Sequence, residues 1–267
     1  MEGLQNNKFY SKGTENKAEG REDKFIRNLN NLINFDVDKY LTQLNKSLIN
    51  DENILFDANM YQVGPRHYIG YLVKNNFPDD IFEKLFNKAT DYTSKIKNLI
   101  EKKEIYSTEG IIEEMLCFSP VYKSILNKYE GLFLEMKRKK AFNIIKENLR
   151  EVKSIEKSIV DILYERLQKK NDFNKEAYDR IRNGLYEIFN NTEASINDKN
   201  LVCTMIYESI KNKTLMVSRD HDIEELISDI LFNHNFVKNL SKKNSFLLRK
   251  EILREQLYTI SASNYFY

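Results

Sequence analysis

The chain has 267 residues, of which 41% are apolar and 31% charged, with few Gly and Pro, a composition typical of a largely helical globular protein with a substantial core. Its 42 basic and 40 acidic side chains leave a formal net charge of +2, so any nucleic-acid-binding surface must be local. No apolar run approaches the roughly 20 residues that span a bilayer, so we expect no membrane partner. The chain has two cysteines and no CxxC pair, which predicts a reduced, cytoplasmic setting.

The first part of the chain alternates between predicted helices and short strands. Residues 1–22 are polar and predict a disordered tail, and the apolar spacing in 23–50 predicts two N-terminal helices. The apolar segment Asn53–Phe56 predicts a buried strand. Pro78 then opens a long amphipathic helix, and Glu104–Tyr106 predicts a second short strand.

The second part begins with a long helical region and returns to strands. Residues 119–192 are helical in pattern almost throughout and predict an inserted α-hairpin. Asn197-Asp198 is placed to cap the next helix, which leads into a strand at Thr214–Ser218. A further helix is predicted within 246–257, followed by a strand at Tyr258–Ser261.

Strands that alternate with helices predict an α/β fold, with a small parallel sheet flanked by helices. The carboxyl ends of parallel strands share one edge, where such folds bind their ligands. The predicted organisation is a disordered tail (1–22), N-terminal helices (23–50), the first half of the core (51–118), a large helical insertion (119–192), and the second half of the core with a C-terminal helix (193–267).

Acidic residues occur at four places that this sheet would bring to its carboxyl edge. Mg²⁺ and Mn²⁺ prefer such hard oxygen ligands, and carboxylates crowded together without a cation repel one another. We therefore expect four of them, those of Asp57, Glu114, Asp198 and Asp220, to converge within about 8 Å, twice the spacing of a two-metal site. The acidic residues follow the first strand (Asp57), lie in the helix that Ser107 and Thr108 can cap (Glu113, Glu114), open a later helix (Asp198) and follow the third strand (Asp220, Asp222).

Each acidic residue also has a purely structural interpretation. Asp57 can form a turn, Asp198 can cap a helix, and Glu114 can lie on a solvated helix face. Asp220 with Asp222 is harder to explain this way, because a helix N-cap uses only one of the two. If all these acids are caps and turns of a helical interaction protein, Asp57 and Asp220 should lie far apart.

The segments around these acids resemble the signature motifs of the PIN-domain nuclease superfamily. That family has an Asp at the end of its first strand, often with Ser or Asn two residues later, as in Ile54–Asn59. Its second motif is a strand, a Ser/Thr/Pro step and a helix in which a Glu directly precedes an apolar residue. The segment Tyr106–Met115 matches this motif. The apolar residue after the Glu selects Glu114 over Glu113 as the matching position. A helix-opening Asp matches Asp198–Thr204, and a strand ending in Ser/Thr-x-Asp-x-Asp matches Val217–Asp222.

The resemblance covers roughly residues 50–118 and 195–235 and implies a metal-dependent endonuclease that usually acts on RNA. The stretch between Glu114 and Asp198 is longer than in compact members of that family, which leaves the substrate open among tRNA, other structured RNA and DNA. The resemblance implies Mg²⁺ or Mn²⁺ as cofactor, with these site residues: catalytic Asp57, Glu114, Asp198 and Asp220; metal-binding Asp57, Glu114, Asp220 and Asp222; supporting Asn59 and Ser218.

A basic run in the helical insertion is a candidate RNA-binding surface. Lys137, Arg138, Lys139 and Lys140 are consecutive, so they cannot all share one face of a helix. They either contact phosphates of an RNA partner or form a solubilising surface. A second functional alternative for the whole protein is an inactive PIN-like scaffold that binds RNA or assembles a complex.

Overall fold

A parallel four-stranded sheet organises the chain in the computed structural model. The strands are β1 (Asn53–Phe56), β2 (Ile105–Tyr106), β3 (Thr214–Ser218) and β4 (Tyr258–Ser261), in the order β2-β1-β3-β4. The predicted α/β class is therefore confirmed. The structure describes residues 21–48, 53–61, 64–170, 173–209, 214–218, 220–232 and 258–261.

Helices flank this sheet and account for most of the described chain. Short 3-10 helices at Ala58–Met60 and Pro65–Tyr68 follow β1, the second leading directly into a helix. The α-helices are α1 (Arg21–Asn34), α2 (Val37–Ser47), α3 (Ile69–Lys74), α4 (Asp79–Lys102), α5 (Glu109–Leu116), α6 (Phe118–Glu135), α7 (Lys139–Lys169), α8 (Lys175–Gly184), α9 (Tyr186–Asn190), α10 (Ile196–Ser209) and α11 (His221–Phe232).

The two central strands are buried along their whole length. Every residue of β1 and of β3 is buried, and Ile54 lies opposite both Ile105 of β2 and Leu215 of β3. Strands covered on both faces by other elements have such continuous apolar sequences rather than alternating ones. The apolar segments that identified these strands in the sequence are thus the centre of the core.

The predicted helical insertion is helical, but it is more extensive than one hairpin. Helices α6 and α7 form an antiparallel pair that packs on α3, α4 and α5, whereas α8 packs on α10 and α9 on α11. Helix α7 runs parallel to α4, as is shown by polar contacts that join the two helices at their starts, in their middles and near their ends. These contacts are Arg138 with Asp79, Asn148 with Phe86, and Arg166 with Ile100.

The N-terminal helices begin slightly earlier than the sequence indicated. Helix α1 starts at Arg21, whereas the disordered tail was predicted to reach residue 22; residues 1–20 lie outside the described part of the chain. The helix predicted within 246–257 also lies outside it. Among the described residues, no helix has the length and apolarity needed to cross a membrane.

Candidate active site

The carboxyl end of β1 delivers a buried aspartate to the edge of the sheet. The Asp57 N–H donates to the carbonyl of Val217 at 3.1 Å, which continues the ladder between β1 and β3. Its carboxylate accepts from the Ser218 hydroxyl at 2.7 Å and from the Ala58 N–H at 2.6 Å. Only 4% of Asp57 is exposed, so these two bonds replace much of the water that the carboxylate loses.

The hydroxyl of Ser218 joins the ends of two strands. It donates to Asp57 and accepts from the Asp220 N–H at 2.9 Å and from the Asn59 side-chain amide at 3.4 Å. Asp57 and Asp220 are therefore connected through a single side chain. The interpretation in which they lie far apart is wrong.

Asp220 caps helix α11. Its carboxylate accepts from the Asp222 N–H at 3.0 Å, and its carbonyl accepts from the Glu224 N–H. This is the arrangement of a helix N-cap, in which a side-chain oxygen satisfies one of the first free N–H groups. Asp222 is exposed in the first turn of the helix, so the two aspartates have different surroundings.

The end of β2 is fastened to β1 by Ser107. Its hydroxyl donates to the Phe56 carbonyl at 2.6 Å and also forms a hydrogen bond with the hydroxyl of Tyr61. Burial raises the pKa of Tyr61. Ser107 was predicted as a possible helix cap, and that role is wrong. Thr108 occupies the N-cap position of α5, but its side chain makes no capping hydrogen bond. Ser107 instead fixes the loop that follows Asp57.

The helices that carry Glu114 and Asp198 meet at their N-terminal ends. The side-chain amide of Asn197 in α10 donates to the carbonyl of Gly110 in α5 at 3.3 Å and also hydrogen-bonds Glu114. A Cβ at position 110 would lie 2.4 Å from the Asn197 side-chain oxygen, so only Gly allows this approach. Asn197 thus sets the position of α5 against α10.

Asp198 is part of a reciprocal cap. Its carboxylate accepts from the Ser195 N–H at 2.9 Å, and the Ser195 hydroxyl accepts from the Asp198 N–H at 3.2 Å. The pair forms a capping box in which Ser195, and not Asn197-Asp198, is the N-cap of α10. The predicted cap is therefore displaced by two to three residues, and Asp198 lies in the first turn.

Neighbouring acids of the predicted catalytic set influence the ionisation of Asp57. The pKa of Asp57 is raised to about 7, mainly because its carboxyl is buried, and the charges of Asp198 and Asp220 add to the shift; the bonds from Ser218 and Ala58 oppose it. Burial and repulsion from neighbouring acids therefore both oppose the ionisation of Asp57.

Glu114 shares this electrostatic environment from the other side. Its side chain lies at the surface, yet partial withdrawal of the carboxyl from water raises its pKa, and Asp198 and Asp220 raise it further. The hydrogen bond from Asn197 acts in the opposite direction. Acids from two strand ends and two helices thus share one edge of the sheet.

Comparison of the chain with protein-family models, curated proteins and solved structures found no match. The resemblance to PIN-domain nucleases therefore depends on the four sequence motifs alone.

The donor set suits a hard divalent cation, although it is not a ready-made cage. Within the described residues, no three His, Cys, Asp or Glu side chains are grouped closely enough to hold a metal ion. Mg²⁺ does not need such a group, because it is usually bound through one or two carboxylates and completes its coordination with water and substrate phosphate. Asp57 and Asp220, linked by the Ser218 hydroxyl, supply one carboxylate each from the ends of β1 and β3.

The predicted basic run is divided by the structure into two kinds of residue. Arg138 bonds Asp79 at 3.0 Å, Asn76 at 2.7 Å and the Phe77 carbonyl, so its guanidinium is occupied in holding α7 to the start of α4. Lys137, Lys139 and Lys140 are exposed. All three guanidinium nitrogens of Arg138 thus donate within the fold, and its assignment to nucleic-acid binding stays a prediction.

Removal of the Ser218 hydroxyl should destabilise the protein most at high pH. Ser218→Ala removes one of the two hydrogen bonds that the buried Asp57 carboxylate accepts and the bond that the Asp220 N–H donates, at a cost of about 1–3 kcal/mol for each. The cost should be larger at pH 8 than at pH 5, because the lost bond is stronger when Asp57 is ionised. Urea unfolding at the two pH values measures this difference.

Ser209→Ala is a matched control for this experiment. Its hydroxyl is also fully buried but donates to the carbonyl of Met205 within α10, with no carboxylate partner. The stability lost in this variant should be the same at both pH values. If Ser218→Ala behaves in the same way, Ser218 does not interact with an ionising Asp57.

Proposed function

We propose that the chain is a metal-dependent nuclease that hydrolyses phosphodiester bonds, with RNA as its main substrate. The observation that carries the proposal is the link between Asp57 and Asp220 through the Ser218 hydroxyl at the carboxyl edge of a parallel sheet. Asp198 acts electrostatically on Asp57 and on Glu114, and Asp220 acts on the same two residues. A fold gains no stability from gathering like charges in this way, so their arrangement favours a cation-dependent function.

In this proposal Asp57 and Asp220 hold the cation, Glu114 faces it from α5, and Asp198 completes its surroundings. A bound Mg²⁺ or Mn²⁺ ion lowers the pKa of coordinated water and neutralises charge on a phosphate. The role of Ser218 is to fix the orientation of the Asp57 carboxylate, and Asn59 supports that hydroxyl from the following turn.

An inactive scaffold of the same fold is the second candidate. It is favoured by the capping roles of Asp198 and Asp220, which give both residues a purpose in the fold without any metal. The two functions differ in one outcome, which is metal-dependent cleavage. They do not differ in RNA binding.

The proposal is tested by incubating pooled cellular RNA with the full-length protein and Mg²⁺ or Mn²⁺, with a chelator control. The wild type should cleave, and Asp57→Asn should lose activity by orders of magnitude because one charge of the cation site is removed. Absence of metal-dependent cleavage by the folded wild type would support the scaffold.

Helix α5 offers a matched pair of neighbouring acids for the same assay. Glu114→Gln should reduce cleavage strongly, since Glu114 interacts with Asp198 and Asp220. Glu113→Gln removes the same charge from the adjacent exposed position and should leave cleavage near the wild-type rate. Equal losses in the two variants would contradict the choice of Glu114 as the site residue.

A further inference from the structure

Helix α7 carries a row of cations along its outward side. The row follows intervals of seven, four, three and four residues, which at 3.6 residues per turn confines it to an arc of roughly 60°. All its members are exposed. We call them the α7 basic row: Lys139, Lys146, Arg150, Lys153 and Lys157.

The row is separate from the packing face of the helix. Ala141, Ile145, Val152 and Ile159 belong to the buried side of α7. Around the axis of α7, the centre of the basic row is rotated by roughly 120° from the centre of the buried side. Burial of α7 in the fold therefore does not account for the position of the cations.

Intramolecular acids do not neutralise this row. Within the described part of the chain none of its five members forms an ion pair, whereas Lys169 at the end of the same helix pairs with Glu165. Glu147 and Glu151 are rotated from the centre of the row by roughly 90–130°, and the exposed Asp161, one turn beyond Lys157 and roughly 50° from that centre, forms no ion pair within the described residues. An unpaired line of like charges raises the local potential and attracts a polyanion.

The Lys157 end of the row lies near the start of α6, which follows the candidate site closely in the chain. Lys157 comes directly after Glu156, whose carboxylate accepts from the Ser119 hydroxyl at the start of α6. Ser119 is only five residues beyond Glu114 in the chain. The row then extends away from this end for about 27 Å, at 1.5 Å per residue.

We propose that the α7 basic row binds the sugar–phosphate backbone of RNA, an inference that rests on the proposed nuclease function. Its length corresponds to about eight phosphates of one strand, at about 3.4 Å of duplex axis per phosphate. Lys and Arg contacts to phosphate position a nucleic acid without reading its sequence. The row therefore holds RNA of any sequence and replaces the consecutive run at 137–140 as the main basic surface.

The test measures RNA affinity against salt concentration, without divalent ions and in an Asp220→Asn background so that no cleavage occurs. The probe is a labelled single-stranded RNA of mixed sequence, about 20 nucleotides long, which exceeds the eight phosphates that the row spans. Lys146→Gln, Arg150→Gln and Lys153→Gln together should reduce the slope of log affinity against log salt by about 2, or about 0.7 for each lost phosphate contact. Each single substitution should account for about a third of that change.

The matched control removes three other exposed lysines, with Lys84→Gln, Lys102→Gln and Lys175→Gln on α4 and α8. It changes the net charge equally and should leave the slope near the wild-type value. Equal slopes in the two triple variants overturn the proposal, as does a wild type that binds no RNA. Row-dependent binding to anionic phospholipid vesicles, with no binding to RNA, also overturns it.

The outcomes for the row and for the nuclease are distinguishable. Row-dependent RNA binding by a protein that cleaves nothing supports the row and contradicts the nuclease. Metal-dependent cleavage with an affinity that is insensitive to the row variant overturns the row and leaves the nuclease in place.

Discussion

Asp220→Asn should lower RNA cleavage by orders of magnitude while the fold remains intact. Asn is as good an N-cap as Asp, so α11 keeps the hydrogen bond to the Asp222 N–H. The substitution removes one charge from the edge that Asp57 and Glu114 share. Without metal, the variant should be as stable as the wild type or more stable, because repulsion has been relieved.

Asp220→Ala removes both the charge and the helix cap. It should therefore lose cleavage to the same extent as Asp220→Asn and should also lose about 1 kcal/mol of stability. A comparison of Asn with Ala at this position therefore measures the structural role of Asp220 apart from its proposed catalytic role.

Thermal unfolding with and without Mn²⁺ completes the Asp220 experiment. A ligand that binds only the folded state stabilises it by about 2.7 kcal/mol at one hundred times its dissociation constant. The wild type should gain stability from Mn²⁺, and Asp220→Asn should gain less. Normal cleavage by Asp220→Asn, combined with lost stability in the absence of metal, would show that the residue is only a cap.

The strands that form the site could be predicted from the sequence because their signal is local. Asn53–Phe56 and Thr214–Ser218 each contain three consecutive apolar residues, followed directly by Asp57 and Ser218 respectively, and the structure gives both strands the predicted bounds. Parallel order then required their carboxyl ends to share an edge. That geometric argument predicts from the sequence that Asp57 and Asp220 lie close together.

Contacts between distant helices could not be predicted in this way. Nothing in the local pattern indicates that Asn197 packs on Gly110 or that Arg138 binds the start of α4. Both depend on the parallel packing and crossing of helices, which periodicity does not specify. The Ser195 cap is different, because Ser-x-x-Asp before a helix resembles a capping box and could have been recognised.

The free energy of unfolding of the metal-free protein should fall as the pH rises from about 4 to about 7. Burial raises the pKa of Asp57 from 3.8, and that of Glu156 from 4.5, to about 7. Asp57 faces Asp198, Asp220 and Ser218, whereas Glu156 faces Arg66 and accepts from Ser119.

The sign follows from proton binding. Between the unfolded and folded pKa values, the folded chain holds more protons than the unfolded chain, so a rise in pH favours unfolding. Each pKa unit corresponds to about 1.4 kcal/mol, so each acid contributes roughly 3–4 kcal/mol to the change. Above about pH 7 both are ionised, and this contribution to stability has been lost.

Two substitutions divide this pH dependence between the acids. Asp57→Asn and Glu156→Gln should each flatten part of the curve of stability against pH, and the double variant should flatten most of it. Urea unfolding at pH 5 and pH 8 is sufficient for the comparison.

Addition of Mg²⁺ at pH 8 then distinguishes the candidate site from the buried acid. The cation should restore stability to the wild type and to Glu156→Gln, since both keep Asp57, and it should have little effect on Asp57→Asn. A wild-type protein that becomes more stable between pH 5 and pH 8 would mean that Asp57 is ionised at low pH in the fold. An equal response to Mg²⁺ in Asp57→Asn would place the cation away from the end of β1.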